Sequence, residues 1–139
     1  GFSEFNRFGD RIETRPLVKI GAISSEYERF DINLAPLQLD NPFCEAKSPL
    51  KYIQAGVVGV PTVASATEPF RGAIKQGVTG FTATSHDDWY RALTTLLDNP
   101  GERHRIGENA RLHASVAFSS APIAASLRRV FAQLVTTNL

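Results

Sequence analysis

At 139 residues, with 42% hydrophobic and 21% charged positions, the chain has the length and composition of one soluble domain with its own core. Fifteen basic and fourteen acidic residues give a formal charge of +1, so no field of one sign supports nonspecific nucleic-acid binding. The lone Cys44 cannot close an internal disulfide and fits a reducing compartment, and no apolar run approaches the roughly 20 residues of a membrane span.

Along the chain, Pro16 to Ile20 is a short apolar run that predicts a first strand. Ser24 to Phe30 predicts a short helix capped by Ser24 or Ser25, and Asp31 to Leu37 a second strand ended by the polar stretch to Pro42. Ser48-Pro49 reads as a helix start, with Ser48 as the cap and Pro49 at the first helical position, where it loses no hydrogen bond. Leu50, Ile53 and Val57 then share one helical face, Gly59-Val60-Pro61 stops the helix, and Thr62 to Ala64 forms a buried strand. Pro69 to Gln76 predicts a helix closed by Gly77, and Gly80 to Ala83 a fourth strand. Ser85 and Asp88 form a capping box before a helix whose apolar face is Trp89, Leu93, Leu96 and Leu97. Glu102 to Ala117 carries the narrow stripe Ile106, Ala110 and Ala114. A last helix, within residues 121–136, carries Ile123, Leu127, Val130, Phe131 and Leu134.

Strands alternating with helices predict an α/β fold with a parallel Rossmann-like sheet and flanking helices, in one domain over residues 1–139. Four short strands are few for such a sheet, no methionine is present, and GFSEFNRFGDR has no strand-like start. The expectation is therefore a partial domain whose N-terminal piece lies upstream.

Ligands of open parallel sheets bind outside the carboxyl ends of the strands. The loop Gln38 to Lys47 lies at that edge and leads into the Ser48 helix, whose free N–H groups and dipole favour an anion. Lys51 adds a charge one turn in and Lys47 a second, which points to a phosphate or diphosphate. Glu45 beside such a site suits hydrogen bonding to sugar hydroxyls. Gln54, three residues past Lys51, suits a ribose hydroxyl. The same residues also read as a plain capped helix with solvated lysines.

In order and wording, the segment from Asp31 to Ser65 resembles the group 1 retaining glycosyltransferases of the GT-B fold. The resemblance rests on the Asp31 to Pro36 strand, the Glu45 loop, QAGVVGVP from Gln54 to Pro61, and the strand Thr62 to Ser65. It continues through Gly77 to Phe81, Asp87-Asp88-Trp89, Leu97 to Pro100, and RHRIGENA from Arg103 to Ala110. The family pattern has two glutamates eight positions apart. Here Gln54 occupies the second, Ala46 the formal first, and Glu45 stands beside it.

The resemblance implies part of the C-terminal half of a GT-B fold, binding a nucleotide-diphosphosugar donor as substrate and no separate cofactor. Transfer would go with retention to a glycan or lipid-linked acceptor held by another domain. The donor-side residues implied are Glu45, Lys47, Ser48 and Lys51 for sugar and phosphate, and Gln54 for ribose. The family's Arg/Lys pair for the leaving diphosphate belongs to an earlier segment, so this stretch is expected to bind donor without completing transfer. A cytoplasmic site is implied, at the inner membrane surface in the parent protein. Two other readings stay open: a non-catalytic module that self-associates through the last helix, and a GT-B epimerase.

Overall fold

A computed structural model of the chain describes residues 2–121 together with 124, 125, 128 and 129, with side chains from residue 7 onward. Three parallel strands, β1 (Asn33–Ala35), β2 (Thr62–Ser65) and β3 (Phe81–Ala83), form one sheet in that spatial order. Leu34, Val63 and Phe81 stand in register on one face, and Ala35, Ala64 and Thr82 on the other. A short helix, α1 (Ile23–Tyr27), precedes the sheet. The first crossover carries α2 (Pro42–Glu45) and α3 (Leu50–Val57), and the second carries α4 (Glu68–Ala73). Two longer helices, α5 (His86–Asp98) and α6 (Pro100–Ala117), follow β3.

The sheet separates two apolar clusters. On the Ala64 face, Ala35 and Ala64 pack with Tyr52 of α3, Phe70 and Ala73 of α4, Ile74 and Ala110. On the Val63 face, Val63 packs with Ala92 and Leu96 of α5 and Ile106, under Trp89 and Leu93. One helix, α6, therefore contributes Ile106 to one cluster and Ala110 to the other. Its stripe Ile106, Ala110 and Ala114 is buried throughout.

Local chemistry accounts for several boundaries. Pro36 has no N–H to donate and ends β1. Gly59, at φ +78°, ends α3 in a paired arrangement: its N–H donates to the Gly56 carbonyl (2.8 Å) and the Val60 N–H to the Ala55 carbonyl (3.0 Å). The capping box at the start of α5 is reciprocal, with Ser85 accepting from the Asp88 N–H and Asp88 accepting from the Ser85 N–H.

Other expectations are corrected. Residues 12–19 hold no regular structure, Leu17 is fully exposed, and Ile20–Ala22 is a single 3-10 turn. An apolar run becomes a strand only where a sheet edge takes its hydrogen bonds and a neighbour covers its face. This segment is tied instead to α1, by Arg15 to Glu26 at 2.7 Å. The sheet of the described residues accordingly has three strands rather than four. The short α1 starts at Ile23 after Ala22, without a side-chain cap from Ser24 or Ser25.

On α3 the buried face is Tyr52, Ala55 and Gly56, while Leu50 and Val57 are exposed. The helix is rotated because α6 and the sheet both press on it, and the small Ala55 and Gly56 allow the closer approach. On α5, Ala92 is buried and Leu97 exposed. Gly77 does not cap α4, which ends at Ala73 with Ile74 extended; it sits in a later turn, donating to the Gly80 carbonyl at 2.9 Å. The stripe from Ile123 to Leu134 lies outside the described residues, as does its expected self-association. No helix among the described residues is long and apolar enough to cross a membrane.

Candidate functional site

Two loops meet at the carboxyl end of the sheet. After β1 the chain turns through Leu37 to Asn41. Asn41 Oδ1 then accepts from the Phe43 N–H at 3.0 Å and starts α2, with Pro42 at its first position. After β2, Thr67 and Glu68 lead into α4. Two contacts fasten these loops together. Ser65 Oγ donates to the Leu37 carbonyl at 2.7 Å and accepts from the Leu37 N–H at 2.8 Å. Glu45 Oε2 accepts from the Glu68 N–H at 2.8 Å, capping α4 from the end of α2.

Between them lies a pocket of about 250 Å³ lined by Ala35, Leu37, Lys47, Ser48, Leu50, Lys51 and Phe70. Its floor is apolar, from the sheet and α4. Its rim is cationic, from the loop and the first turn of α3. Ser48 does not cap α3. The helix starts one residue later than expected, with Pro49 as N-cap, and no side chain bonds its free N–H groups. The N–H groups of Leu50, Lys51 and Tyr52 find no acceptor among the described residues. The positive end of the helix dipole is therefore uncompensated at the pocket.

Among the sequence-predicted site residues, Lys47, Ser48 and Lys51 come together around this pocket. The Lys47 ammonium lies 4.7 Å from the centre of the exposed Phe43 ring, a cation–π contact that holds it near the rim. Lys51 is exposed and its ammonium has no anionic partner among the described residues. Glu45 and Gln54 are not in the lining. Glu45 is half-buried and one carboxylate oxygen is engaged by Glu68. Gln54 is half-buried on the same helix as Lys51, with its amide unbonded among the described residues.

The family model described as glycosyl transferases group 1 matches residues 17–113, well over half of the chain. The chain belongs to the group 1 glycosyltransferases. It is 34% identical over 88 residues to a D-inositol 3-phosphate glycosyltransferase of Corynebacterium efficiens, covering 62% of this chain and 20% of the relative. With the enzyme of that name from Corynebacterium aurimucosum the identity is 35% over 89 residues, covering 63% and 21%. The chain thus spans about a fifth of the length of the curated relatives it matches.

Two solved structures share its fold. Sucrose-phosphate synthase from Thermosynechococcus elongatus superposes with a TM-score of 0.75 at 19% identity, covering 98% of this chain and 33% of that one. Anabaena HepE, solved in complex with UDP and glucose, gives 0.76 at 16% identity, covering 95% and 34%. The three-stranded parallel sheet and its helices are therefore part of a GT-B glycosyltransferase fold.

One residue that shapes the site of this glycosyltransferase chain was not singled out from sequence. Asn33, buried at the start of β1, donates to the Lys51 carbonyl (3.2 Å) and to Thr62 Oγ1 (3.0 Å), so it ties the first turn of α3 to the sheet. Phe70 supplies the floor from α4. Only the local rule that a buried amide group needs hydrogen-bond partners marks Asn33, and the partners of its Nδ2 lie 18 and 29 residues away. Thr67, at the start of α4, is fully buried, and its hydroxyl has no partner among the described residues.

Proposed function

We propose that the pocket at the carboxyl edge of the sheet binds the diphosphate and sugar end of a nucleotide-diphosphosugar donor. The observation that carries this reading is the convergence of Lys47, Ser48, Lys51 and the uncompensated start of α3 on one apolar-floored pocket. In such a site the two ammonium groups offset the diphosphate charge, and the Ser48 hydroxyl and the first-turn N–H groups donate to phosphoryl oxygens. The free oxygen of Glu45 accepts from sugar hydroxyls. Gln54, further along α3, serves the ribose. The donor is a substrate, and the reading includes no separate cofactor.

Family membership and the UDP and glucose named with the Anabaena structure support this assignment. In the whole protein the reaction is sugar transfer with retention to a glycan or lipid-linked acceptor held by other segments, at the cytoplasmic side of a membrane. Binding and orienting the donor is the contribution this segment makes to such a transfer.

Titration with UDP and UDP-glucose, followed by backbone amide shifts, tests the reading. Amides from Lys47 to Gln54 are expected to shift on saturation. Lys51→Gln should weaken UDP binding about tenfold or more, as loss of a charged hydrogen bond does, with unchanged thermal stability. Saturating UDP with no shift in those amides would overturn it.

A further inference from the structure

Tyr52 stands next to Lys51 in sequence, yet its side chain points the other way and is fully buried. It packs in one cluster with Ala35 and Phe70, the residues that form the pocket floor. A buried phenol needs a partner. It has one 61 residues away: its hydroxyl lies 2.8 Å from Nδ1 of His113 on α6. Phe118 stacks edge-on against both rings, at 6.3 Å from Tyr52 and 5.8 Å from His113. Asn33 holds the same turn of α3 from the sheet side. The first turn of α3 is thus suspended between a strand and α6, and its open side is the pocket.

We propose that His113 is a positioning residue for the pocket: by accepting the Tyr52 hydroxyl proton it fixes the seat of α3, and with it the placement of Ser48 and Lys51 over Ala35 and Phe70. The inference rests on the donor-pocket reading for its functional consequence, though not for the structural one. Burial pushes the Tyr52 phenol up from its ordinary value, partly offset by the Thr79 hydroxyl, so it keeps its proton and can donate it to Nδ1 in the proposed tautomer. Nδ1 can accept only while the imidazole is neutral. Burial and then the Lys75 ammonium pull His113 below its ordinary value.

The groups that face this imidazole are Tyr52 from α3 and Lys75 from the stretch between α4 and β3. On its own helix, Glu108 and Arg111 are paired with each other at 2.8 Å. No carboxylate among these stands ready to stabilise an imidazolium. A proton on Nδ1 would make it a donor, so the Tyr52 hydroxyl could keep the contact only by rotating its own proton away, and it would set a half-buried imidazolium beside the Lys75 ammonium.

The seat of α3 is therefore stable while His113 is neutral. Its contribution is fully present above about pH 6.5, the ordinary imidazole value, and is lost as pH falls through the lower folded value. Two variants separate positioning from folding. Tyr52→Phe removes the hydroxyl and keeps the ring. His113→Asn keeps an oxygen acceptor near the Nδ1 position and cannot titrate.

The experiment measures UDP affinity and amide exchange protection of Ile53 to Val57 between pH 7.5 and 5.5. Wild type should lose protection in α3 as pH falls, and bind UDP more weakly. Tyr52→Phe should bind UDP about fivefold more weakly at pH 7.5, the effect of about one net hydrogen bond. It should also show little further loss of α3 protection at pH 5.5. His113→Asn should restore protection and remove its pH dependence, leaving only the titration of UDP's own terminal phosphate in the binding curve. Wild-type affinity and wild-type pH dependence of protection in Tyr52→Phe would overturn the proposal, as would a pH dependence that survives in His113→Asn. If UDP fails to bind wild type at any pH, the donor-pocket reading fails, and α3 protection alone decides whether His113 holds the helix.

Discussion

Gly107, in the middle of α6, shows how much a single position can constrain. A Cβ there would lie 2.0 Å from the Gly59 carbonyl oxygen and 3.4 Å from Pro61 Cδ. Backbone cannot give way as a flexible side chain can. In an open helix Gly→Ala would stabilise by roughly 1 kcal/mol, but overpacking against fixed atoms costs about 3 kcal/mol or more. The clash wins, and Gly107→Ala should lower stability in denaturant titration by about 2 kcal/mol or more. A gain in stability would show that α6 can slide away from the Gly59 turn. Thr67 is the opposite case. Its hydroxyl is buried without a partner among the described residues, which costs about 1–3 kcal/mol relative to an apolar group of the same shape. Thr67→Val should therefore raise the melting temperature by about 3 °C. A fall of that size would reveal an ordered water on the hydroxyl.

At the scale of elements, α5 depends on its first turn. Asp88 accepts from the N–H groups of Ser85 (2.9 Å) and Thr84 (3.2 Å) and pairs with Arg91 at 2.9 Å. Backbone and side-chain hydrogen bonds from Ser85, then Arg91, hold its carboxyl well below the ordinary carboxylate range. Ser85→Ala removes the reciprocal bond and should cost about 1 kcal/mol. Because the folded value of Asp88 is depressed, its contribution is present above the ordinary value of 3.8 and is lost as pH falls below it. Asp88→Asn should therefore lower the melting temperature above about pH 4 and flatten the acid limb of its plot against pH between about 4 and 2, while leaving the slope near pH 6.5 as in wild type. An unchanged acid limb would mean that the capping box contributes nothing in solution. The start of α5 was legible in sequence because its reciprocal capping box lies within four residues, Ser85 to Asp88. The rotation of α3 was not, because Tyr52 and His113 are brought together only when α6 folds back across the sheet.

For the whole molecule, cohesion is uneven. From β1 through α6 the chain surrounds a sheet with an apolar cluster on each face. Residues 7–22 are exposed almost throughout, and residues 12–19 make no regular hydrogen-bonded element. Arg15 is ion-paired to Glu13 and Glu26. Brief trypsin treatment of the folded chain should therefore cut at Arg11 and Lys19 before any arginine of α4, α5 or α6. Mass spectrometry of early fragments checks this, and early cleavage within α5 or α6 would contradict it. Net charge is close to zero, so the cationic rim of Lys47 and Lys51 acts locally and its effect on an anion should weaken with added salt.

Sequence by itself determined the alternation of strands and helices, the turn at Gly59, the capping box at Ser85 and the buried stripe of α6. It also singled out Lys47, Ser48 and Lys51 beside one another. Each of these rests on neighbours within a few turns of chain, where spacing alone sets which groups meet. Tertiary structure decided that Pro16 to Ile20 is not a strand, that Tyr52 rather than Leu50 faces inward, and that Glu45 caps α4. It also decided that Asn33 and His113 hold the helix bearing Lys51. Those outcomes depend on partners 11 to 61 residues away, and only packing against the sheet and α6 selects among the faces a short helix can bury.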